Sequence, residues 1–464
     1  MRRKVSVVIG VCAALVLAGA AGAVVRQQSG DDDRRPVGGW REGVSPTVAR
    51  TPVALTETQQ EPAGKTAGAT TPAQEGIVEN HAEPVKRKQH VEESATTAAA
   101  GKGRQKVGTL IKVSKLLGYA GRPRRESFSY PGASYVKLHF SRMAMMPGDY
   151  VTVSDAKGTE SHRYDAPKLL AGRPAGRWAM SITGDTAVLQ LHRGSNPPGA
   201  RSALDDGLGI HVDKVARGLS RTEQTKAPEE SLTVPGRTGR EESVCDTDTS
   251  KNAICYKSKD PVAYTRSKAV ARLLIDGTEL CTGWRIGPNN RMLTNNHCFT
   301  STESAGETEI WFNYQCTTCG GYDTVKPIKV WGKEVVSTNK TYDYTLFSVQ
   351  NFSSVQKFRY LSLDTQRPVK GQALYVPQHP AGDPTRIAGA LGEKAGNCDV
   401  QNNAYTGYAS ESDVSYYCDT EGGSSGSPVL SRKTNRVVAL HHFGGCPNSG
   451  VRGDLLYAKL KSLL

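Results

Sequence analysis

Cysteine is missing from Gln27 to Val244, although the 464-residue chain contains ten. Nine of them lie between Cys245 and Cys446, and the tenth, Cys12, sits in an apolar N-terminal run. A disulfide framework is therefore excluded from the first half and expected in the second. Large apolar residues are scarce from Gln27 to about Gln105, where Gly, Pro, Ala, Thr, Gln and Glu dominate. Such a stretch cannot bury enough surface to offset its ordering entropy, so residues 26–106 read as a disordered spacer. No basic helix and no stripe of aromatics between basic residues stands behind the formal charge of +14. The positive residues fall in small clusters, Lys86-Arg87-Lys88 and Arg122-Pro123-Arg124-Arg125 among them, which suits a solvated surface and not a nucleic-acid partner. Cys316-Thr-Thr-Cys319 lacks a second CxxC or a nearby histidine pair, which argues against zinc, and no cofactor or metal is expected.

The N-terminus carries the parts of a signal peptide. Arg2-Arg3-Lys4 precedes an apolar run from Val5 to Val25, and Ala21-Gly22-Ala23 is a small-residue cleavage site. Residues 1–25 are assigned to it. No cysteine follows the run, which argues against a lipoprotein anchor, and a secreted chain without a stable membrane anchor is expected.

From Val107 the pattern becomes one of short strands. Tyr135-Val-Lys-Leu-His-Phe140 alternates, Pro147-Gly148-Asp149 is a turn, and Tyr150-Val-Thr-Val153, Trp178-Ala-Met-Ser-Ile182, Thr186-Ala-Val-Leu-Gln-Leu-His192 and Gly209-Ile-His-Val212 continue the series. Turn signals at this spacing predict a small β-sandwich over 107–219. His139, His162, His192 and His211 have no ligand spacing and read as strand-face or loop residues. Residues 220–242 are polar, with Pro228, Pro235, Gly236 and Gly239, and form a linker in which Arg237 and Arg240 are candidate sites of proteolytic release. Residues 243–464 again show short strands, such as Ala271-Arg-Leu-Leu-Ile275, Tyr344-Thr-Leu-Phe-Ser-Val349 and Val437-Val-Ala-Leu440, which suggest a barrel or sandwich.

One stretch here carries chemistry: Gly422-Gly423-Ser424-Ser425-Gly426-Ser427-Pro428, followed by Val429-Leu430. Glycines before a nucleophile let the backbone turn so that N–H groups point at a developing oxyanion. Ser425 is the candidate nucleophile, and the N–H groups of Gly423 and Ser425 the candidate oxyanion hole. A serine nucleophile needs a base, and the base needs an acceptor to orient it. His297 fits the first role, at the end of the apolar strand in Arg291-Met-Leu-Thr-Asn-Asn-His-Cys298. Asp343 fits the second, leading into the strand Tyr344-Thr-Leu-Phe347; Asp323 and Asp364 are alternatives without that lead-in.

Thr-Asn-Asn-His-Cys, Asp-Tyr-Thr-Leu and Gly-Ser-Ser-Gly-Ser-Pro, in that order, resemble the chymotrypsin-fold serine peptidases, most of all the bacterial lysyl endopeptidases and the V8-like glutamyl endopeptidases. Trp311-Phe-Asn-Tyr-Gln-Cys-Thr-Thr-Cys319, Gln378-His379-Pro380, Val438-Ala-Leu-His441 and Asn448-Ser-Gly-Val-Arg452 add to the likeness, which spans Cys245 to Leu464. More loosely, Ser134 to Val212 resembles the CUB-like or jelly-roll modules of secreted peptidases. The resemblance implies two six-stranded antiparallel β-barrels over 243–464, with the triad in the cleft between them, making the chain all-β. It also implies the pairs Cys245–Cys446, Cys255–Cys319 and Cys281–Cys298, with Cys398–Cys418 as a fourth and Cys316 left over unless it replaces Cys319.

Two features depart from the family pattern. Asn295-Asn296 replaces the usual Ala-Ala before the histidine, and Ser424 replaces the aspartate that a trypsin-like zymogen uses to bind its new N-terminus. For substrate choice the signals conflict. Asp419, six residues before Ser425, suits a basic side chain; Thr420 and His441 resemble residues that bind glutamate; Gly444 and Asp454 are further candidates. The expected function is a monomeric secreted serine endopeptidase acting on protein or peptide substrates. The rival is a secreted adhesion or binding protein that keeps a peptidase-like scaffold without turnover.

Overall fold

The computed structural model describes residues 103–119, 121–166, 176–194, 208–224, 243–245, 247–389 and 398–464, and the backbone pairing of the short strands Glu42–Gly43, Thr233–Val234 and Arg237–Thr238. The expected signal peptide lies outside the described residues. Within the expected spacer, Glu42–Gly43 pairs with Tyr164 and Arg163, and Gln105–Lys106 forms a strand against Glu279 and Leu280; residues 44–102 lie outside the described residues. The linker likewise holds a hairpin, Thr233–Val234 against Arg237–Thr238.

Six strands of the C-terminal region close on themselves. Val270–Ile275 pairs with Glu309–Phe312 on one side and Glu279–Arg285 on the other, and the ring runs on through Ile328–Asn339, Tyr344–Val349 and Met292–Thr294. The strands Val270–Ile275, Glu279–Arg285 and Tyr344–Val349 are buried at every position. Their inward side chains fill the barrel with Leu273, Ile275, Ile310, Phe312 and Phe347, while the outward ones face neighbouring layers. The hairpin between the first two turns on Asp276 and Gly277, at φ +51° and +75°, a geometry that Asp-Gly adopts readily.

A second ring follows: Leu374–Gln378, Pro428–Ser431, Val437–Phe443, Asn448–Arg452, Asp413–Tyr416 and Val400–Tyr405. The bridge between Ala373 and Asp399 brings its ends together. Trp284, Leu293 and Leu346 of the first ring pack with Tyr375, Leu430, Leu440 and Val451 of the second, and the helix Gly453–Leu460 closes that core with Leu456 and Leu460. Four disulfides join Cys245–Cys446, Cys255–Cys319, Cys281–Cys298 and Cys398–Cys418, and Cys316 is a buried free thiol.

Upstream, two sheets form the β-sandwich. One orders Ser161–Asp165, Tyr150–Ser154, Thr186–His192 and Arg125–Ser129; the other orders Gly108–Leu117, Gly209–Gly218, Tyr135–Ala144 and Arg177–Trp178. The expected strand Trp178–Ile182 splits, because Ala179–Ser181 leave the sheet between Arg177–Trp178 and Ile182–Thr183. Val136, Leu138 and Phe140 point into the sandwich core with Val151, Leu189 and Val212. The alternate residues do not face water. Lys137 reaches Glu309 of the first barrel at 2.8 Å, with both side chains fully buried, and the Tyr135 hydroxyl donates to the Gly277 carbonyl at 2.8 Å. Glu309 also accepts from the N–H and hydroxyl of Ser181 and from Trp311 Nε1. Beside them the buried guanidinium of Arg272 lies among the rings of Tyr135, Trp311 and Tyr314. The sandwich is thus locked to the first barrel through desolvated charges: Glu309 is satisfied on several sides, while the Arg272 nitrogens have no hydrogen-bond partner among the described residues and rest against ring faces.

Candidate active site

The loop around Ser425 is held by its carbonyls. Thr282 N–H donates to Ser425 O at 2.8 Å, and Thr282 Oγ1 donates to Gly423 O at 2.8 Å. Gly426 N–H donates to His441 O, and His441 N–H to Ser427 O. Gly423 and Gly426 sit at φ +96° and +89°, where a β-carbon is strained. A β-carbon on Gly426 would also collide with Thr282 O, and one on Gly423 with Leu280. Among the described residues, neither the Gly423 nor the Ser425 N–H donates a hydrogen bond, and Ser425 Oγ has no partner. Two backbone donors without a partner, close in sequence to a buried hydroxyl, are the groups that could stabilise negative charge on an acyl oxygen.

Met292–Thr294 delivers His297 to the same region, and the Cys281–Cys298 disulfide ties its loop to the neighbouring strand. His297 Nδ1 and Asp343 Oδ2 are 2.8 Å apart, and the His297 N–H donates to Asp343 Oδ1 at 3.0 Å. Asp343 therefore fixes the ring and its tautomer, with the proton on Nδ1. His297 Nε2 has no partner among the described residues. Asn295, the departure from Ala-Ala, donates from Nδ2 to the Asp343 carbonyl at 2.8 Å and so joins the histidine loop to the aspartate turn. The alternatives stand elsewhere: Asp323 is exposed, and Asp364 accepts from Thr434 Oγ1 and Gln366 N–H. Cys281, His297 and Cys298 are close enough to suggest a metal site, but their sulfurs are consumed in the disulfide.

Two residues of the site escaped the sequence reading. His442 Nδ1 lies 3.1 Å from Asp343 Oδ2, and its Nε2 lies 2.7 Å from Asp413 Oδ2. Both ring nitrogens face carboxylates, so both must donate and the ring is an imidazolium. Burial opposes that charge, but the charge of Asp413 and the ring's hydrogen bonds to both carboxylates outweigh it and push the His442 pKa up to about 9. Burial raises the Asp343 carboxyl too, yet the charge and hydrogen bonds of His297 and His442 hold it well below the usual carboxylate range. Asp413 also accepts from Ser412 Oγ and Ser449 Oγ. The signals were present: Asp413 leads a buried strand as Asp343 does, and two consecutive histidines in Val437–Phe443 must point to opposite faces.

Two of the specificity candidates, Asp419 and Asp454, are occupied, whereas the Thr420 hydroxyl is buried with no hydrogen-bond partner among the described residues. Asp419 accepts from Cys245 N–H, Thr249 N–H and Thr249 Oγ1, at 3.3, 2.9 and 2.6 Å, which anchors the start of the domain. His441 is buried, its Nδ1 2.7 Å from the Tyr416 hydroxyl; burial first, then the charges of His442 and His297, push its pKa down to about 3, so it is neutral. Asp454 pairs with Arg452 at 2.6 Å. Thr420 is buried and Gly444 half-buried. No helix among the described residues is long and apolar enough to cross a membrane.

Residues 281–440 match the model of the trypsin-like peptidase domain. A curated relative, described as a secreted RxLR effector protein of Plasmopara viticola, is 38% identical over 231 residues, covering 48% of this chain and 56% of its own length. The chain thus spans little more than half of that relative. Among solved structures, a Glu endopeptidase is 19% identical with a TM-score of 0.35, covering 47% of this chain and 97% of its own. The active form of the Rv3671c protease from M. tuberculosis is 15% identical with a TM-score of 0.34, covering 50% of this chain and 93% of its own.

Proposed function

We propose, from the premise that residues 281–440 form a trypsin-like peptidase domain of the chymotrypsin fold, that this chain is a serine endopeptidase of protein or peptide substrates. The observation that carries the reading is the His297–Asp343 pair at 2.8 Å, which leaves Nε2 as the ring's available base. Ser425 Oγ attacks the peptide carbonyl while Nε2 takes its proton. The Gly423 and Ser425 N–H groups receive the oxyanion, and the imidazolium, steadied by Asp343, gives the proton to the departing amine. Water then repeats the sequence on the acyl-enzyme. The four disulfides support an oxidising, extracytoplasmic setting, in keeping with the apolar leader.

Ser425→Ala is expected to lower casein cleavage by about a million-fold, the scale of losing the nucleophile of a triad, and to abolish labelling by a fluorophosphonate. Undiminished cleavage by the purified variant would sink the assignment, and a folded wild-type chain that takes no label would favour the binding protein. Cleavage after Lys or Arg needs Asp419 to offer a carboxylate to the substrate. Its oxygens already accept three hydrogen bonds, so Asp419→Asn is expected to cost about 1–3 kcal/mol of stability without changing the preferred residue in a peptide library.

A further inference from the structure

The segment that leads into the sandwich runs across the candidate catalytic residues. Gly103 lies against the imidazole of His297: a β-carbon built on it would stand 2.5 Å from Cδ2 and 3.2 Å from Nε2. Arg104 Nη1 donates to Glu279 Oε2 at 2.6 Å and to Asp276 Oδ2 at 3.1 Å, and Glu279 is buried. Gln105 and Lys106 pair antiparallel with Leu280 and Glu279, adding a short strand to the outside of the closed barrel. The Gln105 side chain packs on Gly422, at the head of the Ser425 loop. Val107 is fully buried with Tyr135, Leu274, Leu280 and Trp311, and the N–H groups of Val107 and Gly108 share the Thr278 carbonyl at 2.8 and 3.1 Å.

An extended peptide added to a strand edge gains affinity from main-chain bonds and selectivity from side-chain pockets. Here one residue touches the base, the next fills an acidic pocket and the third covers the nucleophile loop. With the segment in place, the His297 side chain is 8% exposed and Ser425 1%, and Gly103 stands where a substrate would meet the imidazole. The segment continues directly into Gly108–Leu117, the first strand of a sandwich clamped to the barrel through Glu309. Tethered in this way, it faces the groove at an effective concentration on the order of millimolar, which modest contacts convert into nearly full occupancy.

We propose that Gly103–Val107 is a built-in occupant of the substrate groove that keeps the intact chain inactive. Glu279, which it buries, and Asp276 at the rim form the subsite for an arginine or lysine of the substrate. His297 serves the departing amine, so the residue against it flanks the cut bond, and the basic residue is the one that follows that bond. This proposal rests on the peptidase reading above.

The test uses the full chain with Gly103→Val, which drives a side chain into the imidazole, and separately Arg104→Glu, which faces two carboxylates with a third. Both changes lie on the segment itself, outside the barrels. Amide hydrogen exchange at Val107 and Gly108 reports release without any chemistry, and is expected to quicken by about tenfold or more. Turnover of fluorogenic peptides is expected to rise by about tenfold or more in both variants. In the Gly103→Val chain, peptides with Arg after the cut bond should be cleaved about tenfold faster than those with Glu, and adding Glu279→Gln should bring that ratio below about threefold. Released exchange with wild-type turnover, in a chain that does cleave peptides, overturns the self-inhibition. An Arg-to-Glu ratio unmoved by Glu279→Gln overturns the subsite. Released exchange with no cleavage and no fluorophosphonate labelling in any variant overturns the peptidase reading, and this proposal with it.

Discussion

His442 is buried between Asp343 and Asp413, with a carboxylate at each ring nitrogen. As an imidazolium it offsets the charge of Asp343 from behind while His297 uses the same carboxylate from in front. His442→Gln can donate to only one of the two acids, so it leaves a buried carboxylate short of a donor and Asp343 free to swing. The expected loss is about 100-fold in kcat, the scale of losing one preorganised donor beside the reacting charge, with KM little changed. Stability carries a second signature. The folded pKa of about 9 lies above the ordinary 6.5, so between these values the native state keeps a proton that the unfolded chain has released. Stability from His442 is full below pH 6.5 and falls as pH rises toward 9. Urea midpoints across that range should drop more steeply for the wild type than for His442→Gln; parallel curves would refute the charged ring. His297 and Asp343 were legible because each stands where an apolar strand meets a polar turn. For His442 the signal placed a ring on one face of a buried strand but not its charge, because a histidine inside an apolar run reads equally as a neutral core residue, and only the position of Asp413 across the sheet decides between the two.

The loop Gly422–Pro428 acts as a unit whose carbonyls are held by Thr282 and whose two critical N–H groups are left over. Gly426→Ala meets a positive φ of +89° and the Thr282 carbonyl at once. It should cost about 2–3 kcal/mol, the sum of left-handed strain and a displaced hydrogen bond, and abolish turnover. A thermal melt within about a degree of wild type, with activity kept, would show that the loop tolerates another path. Elements of this kind could be read from residue order, since Gly-Ser-Pro patterns specify turns. The two-residue strands could not. Gln105–Lys106 has no periodicity of its own, and it is a strand only because Glu279 and Leu280 offer it an edge.

At the scale of the molecule, the alternation of Tyr135–Phe140 was legible but its destination was not. Val136, Leu138 and Phe140 enter the sandwich core as the alternation implies, whereas Tyr135 and Lys137, on its other side, are the docking face. Lys137 and Glu309 lie 172 residues apart, and nothing local marks them as partners. Burial raises the Glu309 carboxyl, but Lys137 and Lys329 outweigh it and keep it ionised. Lys137→Met therefore leaves a buried carboxylate without its nearest cation, and is expected to destabilise the chain by about 3–5 kcal/mol. Adding Glu309→Gln removes the uncompensated charge, while the amide oxygen still accepts from Ser181 and Trp311, so the double variant should recover more than half of the loss. Urea unfolding of the two variants decides between a desolvated pair and ordinary packing: equal losses would mean that Lys137 contributes through its methylenes alone, and that the sandwich is held by Tyr135 and Arg272 instead.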